Sequence, residues 1–345
     1  MFAREAVHRR MMVLAPAERR PCSALLVWAL LSAVHRGAAW RAEREASLTT
    51  GMLADGPPVR VAGFGSKGSG GGMLHFPMDV ASDHEGFIYV ADKENHVVQV
   101  FTEDGVFVRE YGGLGTDDGK FQYPCGVAVD EERVLVSDCF NHRVQVLDRT
   151  TGLFLHSFGG EGSDLGKLHL PGSIAMDGEG NAIVADHGNH RIQWWAKDGG
   201  WLRSVGSKGR GPGQLLFPWG VAWCRDSLAV FVGDTDNDRI AVFTGTGDFL
   251  RNIAASGDSP GELRHPRGLA VDVRGRLVVS DQGNGRVQAF WGNGSLSYTA
   301  SSVGSGEDEL WHPLGLAINN NNGHIIIADY GNHRLQVFEH IVLNV

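Results

Sequence analysis

Residues 123–160 read YPCGVAVDEERVLVSDCFNHRVQVLDRTTGLFLHSFGG. Four runs of roughly five residues, rich in Val, Leu and Phe, are separated here by Gly, Asp and Asn turns, the signature of short antiparallel strands. We call them a (within YPCGVAVD), b (RVLVSD), c (within CFNHRVQVL) and d (LFLHSFGG), with the last two joined by a Thr150-Thr151-Gly152 turn.

Working outward, the same unit recurs. Prolines stand in equivalent contexts at Pro77, Pro124, Pro171, Pro218, Pro266 and Pro313, at spacings of 47, 47, 47, 48 and 47. The second run of each copy ends in an aspartate: Asp92, Asp138, Asp186, Asp234, Asp281 or Asp329. An asparagine follows three residues later, at Asn95, Asn141, Asn189, Asn237, Asn284 or Asn332. Five of the six copies then place an arginine two residues on, at Arg143, Arg191, Arg239, Arg286 and Arg334, while the first copy has Val97. No helical period accompanies the repeat, so helix-based repeats fail on pattern and on length. A four-stranded sheet cannot bury both its faces alone, but radial stacking of six such sheets covers them and leaves only short edges. The sequence therefore predicts an all-β ring of six blades over residues 59–345.

The ring must also close. Copy six runs out after strand c, Arg334 to Phe338, and Gly63–Pro77 (GFGSKGSGGGMLHFP) aligns without a gap to Ser204–Pro218 (SVGSKGRGPGQLLFP), which follows a strand d. Val59–Phe64 is thus expected to pair with strand c of blade six, with Ile341–Val345 as the rival for that edge.

Composition narrows the function classes. The 345 residues include 48 glycines and carry a net charge of −9. Eight Lys+Arg against five Asp+Glu through Pro58 leave 23 against 35, a net of −12, for the repeats. So acidic a domain is a poor general binder of phosphate backbones, which argues against DNA. Cys22, Cys125, Cys139 and Cys224 form no C-x-x-C pair, so small zinc modules are excluded. Residues 1–58 form a separate extension with Arg9, Arg10, Arg19 and Arg20 ahead of the apolar run Cys22–Val34. A basic flank, a short apolar run and small residues match a secretory signal. A targeting helix, a disordered extension and a misplaced gene start are the competing readings, and the compartment stays open between secretory or membrane-associated and cytoplasmic.

The unit G-x-A-x-D, an apolar pair with A-D or S-D, then x-x-N-x-R-[VIL]-Q-V-F, seen in Asp186–Gln193 and Asp329–Phe338, resembles the NHL repeat. It is similar in particular to the propellers of tripartite-motif and RING-type ubiquitin ligases. That resemblance implies recruitment of substrate proteins or RNA, and a place as an adaptor in ubiquitin-dependent degradation. RING, B-box and coiled coil do not occur in these residues, so only the recruiting half would be inherited.

The repeated Asp, Asn and Arg cannot all lie at one active site and are expected to staple the scaffold, the arginine pairing with a carboxylate of its own or the next blade. Specificity then resides where the copies differ. The residues after each anchor proline (Met78, Cys125, Gly172, Trp219, Arg267, Leu314) and after each turn aspartate (Lys93, Cys139, His187, Thr235, Gln282, Tyr330) are expected on one face near the channel mouth. Phe140, Trp219, Trp311, Tyr330 and Arg267 are types that anchor interfaces. Lys208, Arg210, Arg264 and Arg267, interleaved with Trp219 and His265, could grip single-stranded RNA by phosphate contacts and stacking. Asp236, Asp238, Asp258 and Glu262 oppose them, which favours a mixed-charge surface for a protein partner. The chain is expected to act as a monomer without a cofactor.

Enzyme readings find less support in the sequence. Lyase relatives hold zinc with histidines after the anchor proline, and none of the six post-proline positions is histidine. His142, His190 and His333 occupy equivalent turn positions one blade apart, too far to share a metal. Calcium-dependent lactonase-type propellers need acidic residues converging on the channel, whereas Asp130, Asp177 and Asp272 fall at the far turn. The many G-x-G patterns lie in loops without a following helix, so they read as turns. Cys125 and Cys139, on one face of one blade, would form a disulfide only in an exported protein.

Overall fold

A computed structural model describes residues 57–319 and 321–339. The apolar run Cys22–Val34 and the rival edge segment Ile341–Val345 lie outside the described residues. Six four-stranded antiparallel sheets form a closed β-propeller. Blade two shows the plan: strand a is Pro124–Val129, b is Arg133–Asp138, c is Arg143–Asp148 and d is Phe154–Gly159, hydrogen-bonded in that order. Strands a begin at Pro77, Pro124, Ile174, Val221, Pro266 and Pro313, and the b and c strands are almost wholly buried. Both faces of each sheet pack on neighbouring sheets, so these strands read as continuous apolar runs such as Ile325-Ile326-Ile327.

The ring closes as the sequence predicts. Val59–Phe64 pairs antiparallel with Arg334–Glu339, Val59 opposite Glu339 and Phe64 opposite Leu335. Arg60 Nε donates to Gln336 Oε1 at 2.6 Å, across 276 residues of sequence.

Each turn aspartate is a hub. In blade three, Asp186 Oδ1 accepts the backbone N–H of His169 at 2.8 Å, while Oδ2 accepts from Asn189, from Arg191 Nε at 2.7 Å and from Gln193 at 2.8 Å. Asn189 and Arg191 reach on to the carbonyls of Gly162, Ser163, Asp164 and Lys167, tying down the loop that leads into the blade. The arginine therefore pairs within its own blade, as do Arg143, Arg239, Arg286 and Arg334. Each leading loop is anchored by a fully buried apolar side chain three residues before the proline position: Leu74, Phe121, Leu168, Leu215, Leu263 or Leu310.

The turn histidines, three of them weighed above as metal ligands, join neighbouring blades. His96, His142, His190 and His333 accept the backbone N–H of Tyr123, Leu170, Phe217 and Phe76 through Nδ1 at 3.0–3.1 Å. Asp238 takes the same part toward His265 N at 2.8 Å. A lone pair on Nδ1 requires neutral imidazole, and burial pushes all four rings below the ordinary histidine value.

Near the axis the six innermost strands converge. The second residue after the anchor proline is Gly126, Gly220, Gly268 or Gly315 in four blades, and a Cβ at Gly220 would collide with the carbonyl oxygen of Arg267 in the next blade. Blade three has Ser173 at this level, and blade one has Asp79.

Candidate partner-binding site

The residues singled out in the sequence fall into two zones of one face. The first is the axial mouth, reached by the post-proline side chains and by the short 3-10 turns such as Cys139–Asn141 that follow each turn aspartate. Met78, Cys125, Trp219 and Leu314 pack there in one apolar cluster with Cys139 and Tyr330, which plugs the channel. Met78 and Trp219 are 6% and 8% exposed, so they are not the open interface anchors the sequence suggested. The cause lies one blade away: Gly172 has no side chain, and Trp219 fills the space, its ring 3.4 Å from where a Cβ at 172 would stand. Truncating Trp219 would open a cavity in the plug at a cost of about 3–5 kcal/mol.

Arg267 continues the stacking, with its guanidinium 4.3 Å from the Trp219 ring centre. His187 meets the same indole edge-on, with ring centres 5.1 Å apart. Its Nδ1–H donates to the Pro218 carbonyl at 3.3 Å, and burial, then the charge of Arg267, push it down to about 4, so the ring is neutral. Lys93 stands between the rings of Tyr123 and Tyr330, 5.6 and 5.9 Å from their centres, and pairs with Glu94 at 3.4 Å.

The second zone is the rim. Phe140, on the turn of blade two, and Trp311, on the loop into blade six, are each 50% exposed. Lys208, Arg210, Arg264 and His265 are exposed on their leading loops, as are Asp258 on the loop of Arg264 and Asp236 on the turn of blade four. Because Trp219 is buried, it does not interleave with these cations, and the stacking surface expected for single-stranded RNA is reduced to the rim aromatics.

Cys125 and Cys139 are free, buried thiols, and the hydrogen bond with Cys139, then burial, push the Cys125 thiol well above its ordinary value. Among the described residues no group of three or more His, Cys, Asp or Glu is arranged to hold a metal, and no helix is long and apolar enough to cross a membrane.

Behind the plug the channel is a cavity of about 290 Å³ lined by the innermost strands of all six blades. Asp79 faces it and went unnoticed in the sequence. Its carboxylate accepts from Val80 N at 3.0 Å, Val127 N at 3.3 Å and Ser173 Oγ at 3.0 Å, with no cation paired to it among the described residues. Burial outweighs those hydrogen bonds and pushes it up to about 7. The signal was available: PMDVAS in copy one departs from PCGVAV in copy two at the glycine the axis demands.

The NHL repeat model matches residues 74–101, 121–147, 168–195, 263–290 and 310–338. Blade four is not among them; it carries Ala241 where the other blades place the hub glutamine. No curated protein sequence matches the chain. Among solved structures it is similar to a Bacteroides thetaiotaomicron protein of unknown function, with TM-score 0.61 and 16% identity over 80% of this chain and 73% of that one. A streptogramin B lyase gives TM-score 0.58 and 13% identity over 81% of this chain and 97% of the other. A Staphylococcus aureus virginiamycin B lyase with quinupristin gives 0.55 and 13%, over 84% and 88%. At such identities the likeness is one of fold.

Proposed function

Since this chain is an NHL-repeat β-propeller, we propose that it is a non-catalytic recognition module that holds a protein partner on the face bearing its leading loops and b-to-c turns. The observation that carries this reading is the half exposure of Phe140 and Trp311 on that face. Large aromatics left open on ordered turns supply interface area at small entropic cost. The repeated polar residues are consumed inside the scaffold, which leaves the blade-specific residues to contact a partner. A net charge of −12 over the repeats, with Asp236 and Asp258 among the rim cations, favours a protein over a polyanion.

The test is affinity capture with the full chain and with the Phe140→Ala/Trp311→Ala double variant, analysed for protein and for RNA. The expected result is a protein captured by the parent and lost by the double variant, whose melting temperature stays within a few degrees of the parent's. Equal capture by both chains would reject the assigned face. Capture of RNA alone, steeply weakened by salt, would replace the protein reading with an RNA one.

A further inference from the structure

Arg267 differs from the repeated arginines of this ring. Arg239, one blade back, has Nε 2.7 Å from Asp234 and further bonds to loop carbonyls. Arg267 Nε is buried with no partner, and none of its N–H groups finds a carboxylate or carbonyl among the described residues. Its contact is the face of Trp219. Burial pushes the guanidinium below its ordinary value, outweighing the opposite pull of Cys125, Asp236 and Tyr330, while the residue as a whole stays partly exposed.

A partly buried guanidinium with no hydrogen-bond partner is costly, and a carboxylate set against it recovers the loss through charge-assisted hydrogen bonds, which a planar guanidinium can offer two at a time. We infer that Arg267, backed by the buried Trp219, is the receptor for a carboxylate of the bound protein segment, seated at the axial mouth beside Tyr330. This rests on the protein-recognition reading given above and names the chemistry of the partner. Lys93 stands against the same Tyr330 ring and adds a second positive charge already shared with Glu94. One free guanidinium and one shared ammonium suit a monoanion better than a nucleic-acid backbone, whose successive phosphates would meet the acidic rim residues.

The experiment selects random dodecapeptides displayed on two libraries, one ending in a free carboxylate and one with its C-terminus fused, against the full chain. Labelled synthetic copies of the winners are then titrated by fluorescence anisotropy against the parent, Arg267→Met and Arg267→Lys. Expected are peptides sharing one Asp or Glu, or the free terminus, that bind Arg267→Met at least tenfold more weakly and Arg267→Lys at an intermediate level. Amidating the shared carboxylate should cause the same loss on the parent and none on Arg267→Met. A melting curve for each variant separates lost binding from lost folding, and the amidated peptide tests the parent without any substitution. Winners without a shared carboxylate, winners indifferent to Arg267→Met, or no winners at all would overturn the inference. So would an oligouridylate probe that needs Arg267 where the peptides do not. If the inference fails while capture still depends on Phe140 and Trp311, the recognition reading stands alone.

Discussion

Asp92 faces Val97 across the turn of blade one, at the pair of positions where every other blade sets an arginine against the aspartate. Burial pushes Asp92 up to about 6, despite hydrogen bonds from His75 N, Asn95 and Gln99. A carboxyl with a raised native pKa lends its full contribution below the unfolded value of about 4 and loses it as pH rises through the native one. Blade one is therefore penalised above about pH 6. Val97→Arg should raise stability at pH 7.5 by about 1–3 kcal/mol and by less at pH 4.5, read by urea denaturation. An equal gain at both pH values would contradict the assignment.

Asp79 obeys the same sign at the axis, with a native value of about 7. Asp79→Asn retains an acceptor for Val127 N and a neutral partner for Ser173. It should stabilise the ring at pH 8.5 by on the order of 2 kcal/mol and change little at pH 5. Denaturant midpoints at the two pH values decide it, and a loss at pH 8.5 would show that the ionised form is held by something other than these bonds.

His333 carries the opposite dependence. It accepts Phe76 N–H where blade six meets blade one, and burial lowers its native pKa. The stability contributed by a base of this kind is complete above the unfolded value of about 6.5 and falls away as pH drops below it. His333→Ala should cost about 1–2 kcal/mol at pH 7.5 and less at pH 5. His333→Asp, copying Asp238, should keep the acceptor at both, as thermal melts would show.

Convergence at the axis makes Gly220 irreplaceable for steric reasons alone. Gly220→Ala drives a methyl into the Arg267 carbonyl and should cost about 3 kcal/mol or more. Gly178, whose Cβ would meet nothing within 4 Å, should accept alanine within roughly 0.5 kcal/mol. Similar melting temperatures for the two variants would refute the close approach.

The repeated residues were legible because the copies restate them: Asp and Asn in all six, with Arg in five, identify the b-to-c turn at fixed offsets, and the proline marks strand a. Closure was legible because residues 63–77 duplicate residues 204–218. The site was only half legible. Phe140 and Trp311 lie on a turn and a leading loop that the repeat itself locates, whereas the burial of Trp219 is decided by Gly172, 47 positions away and brought beside it only by the ring. Asp79 was visible as an exception to glycine, but its meaning depends on strands converging at an axis. The histidines were aligned correctly, yet their partners are backbone N–H groups of the next blade, which carry no mark in the sequence.

The bonding of Val59–Phe64 to Arg334–Glu339 has a consequence for biosynthesis. During translation the first strand leaves the ribosome with its partner still some 270 residues unmade, a separation set by Phe64 and Leu335. Early blades can assemble as they emerge, but this strand must wait, and its waiting edge is open to mispairing with a neighbouring nascent chain.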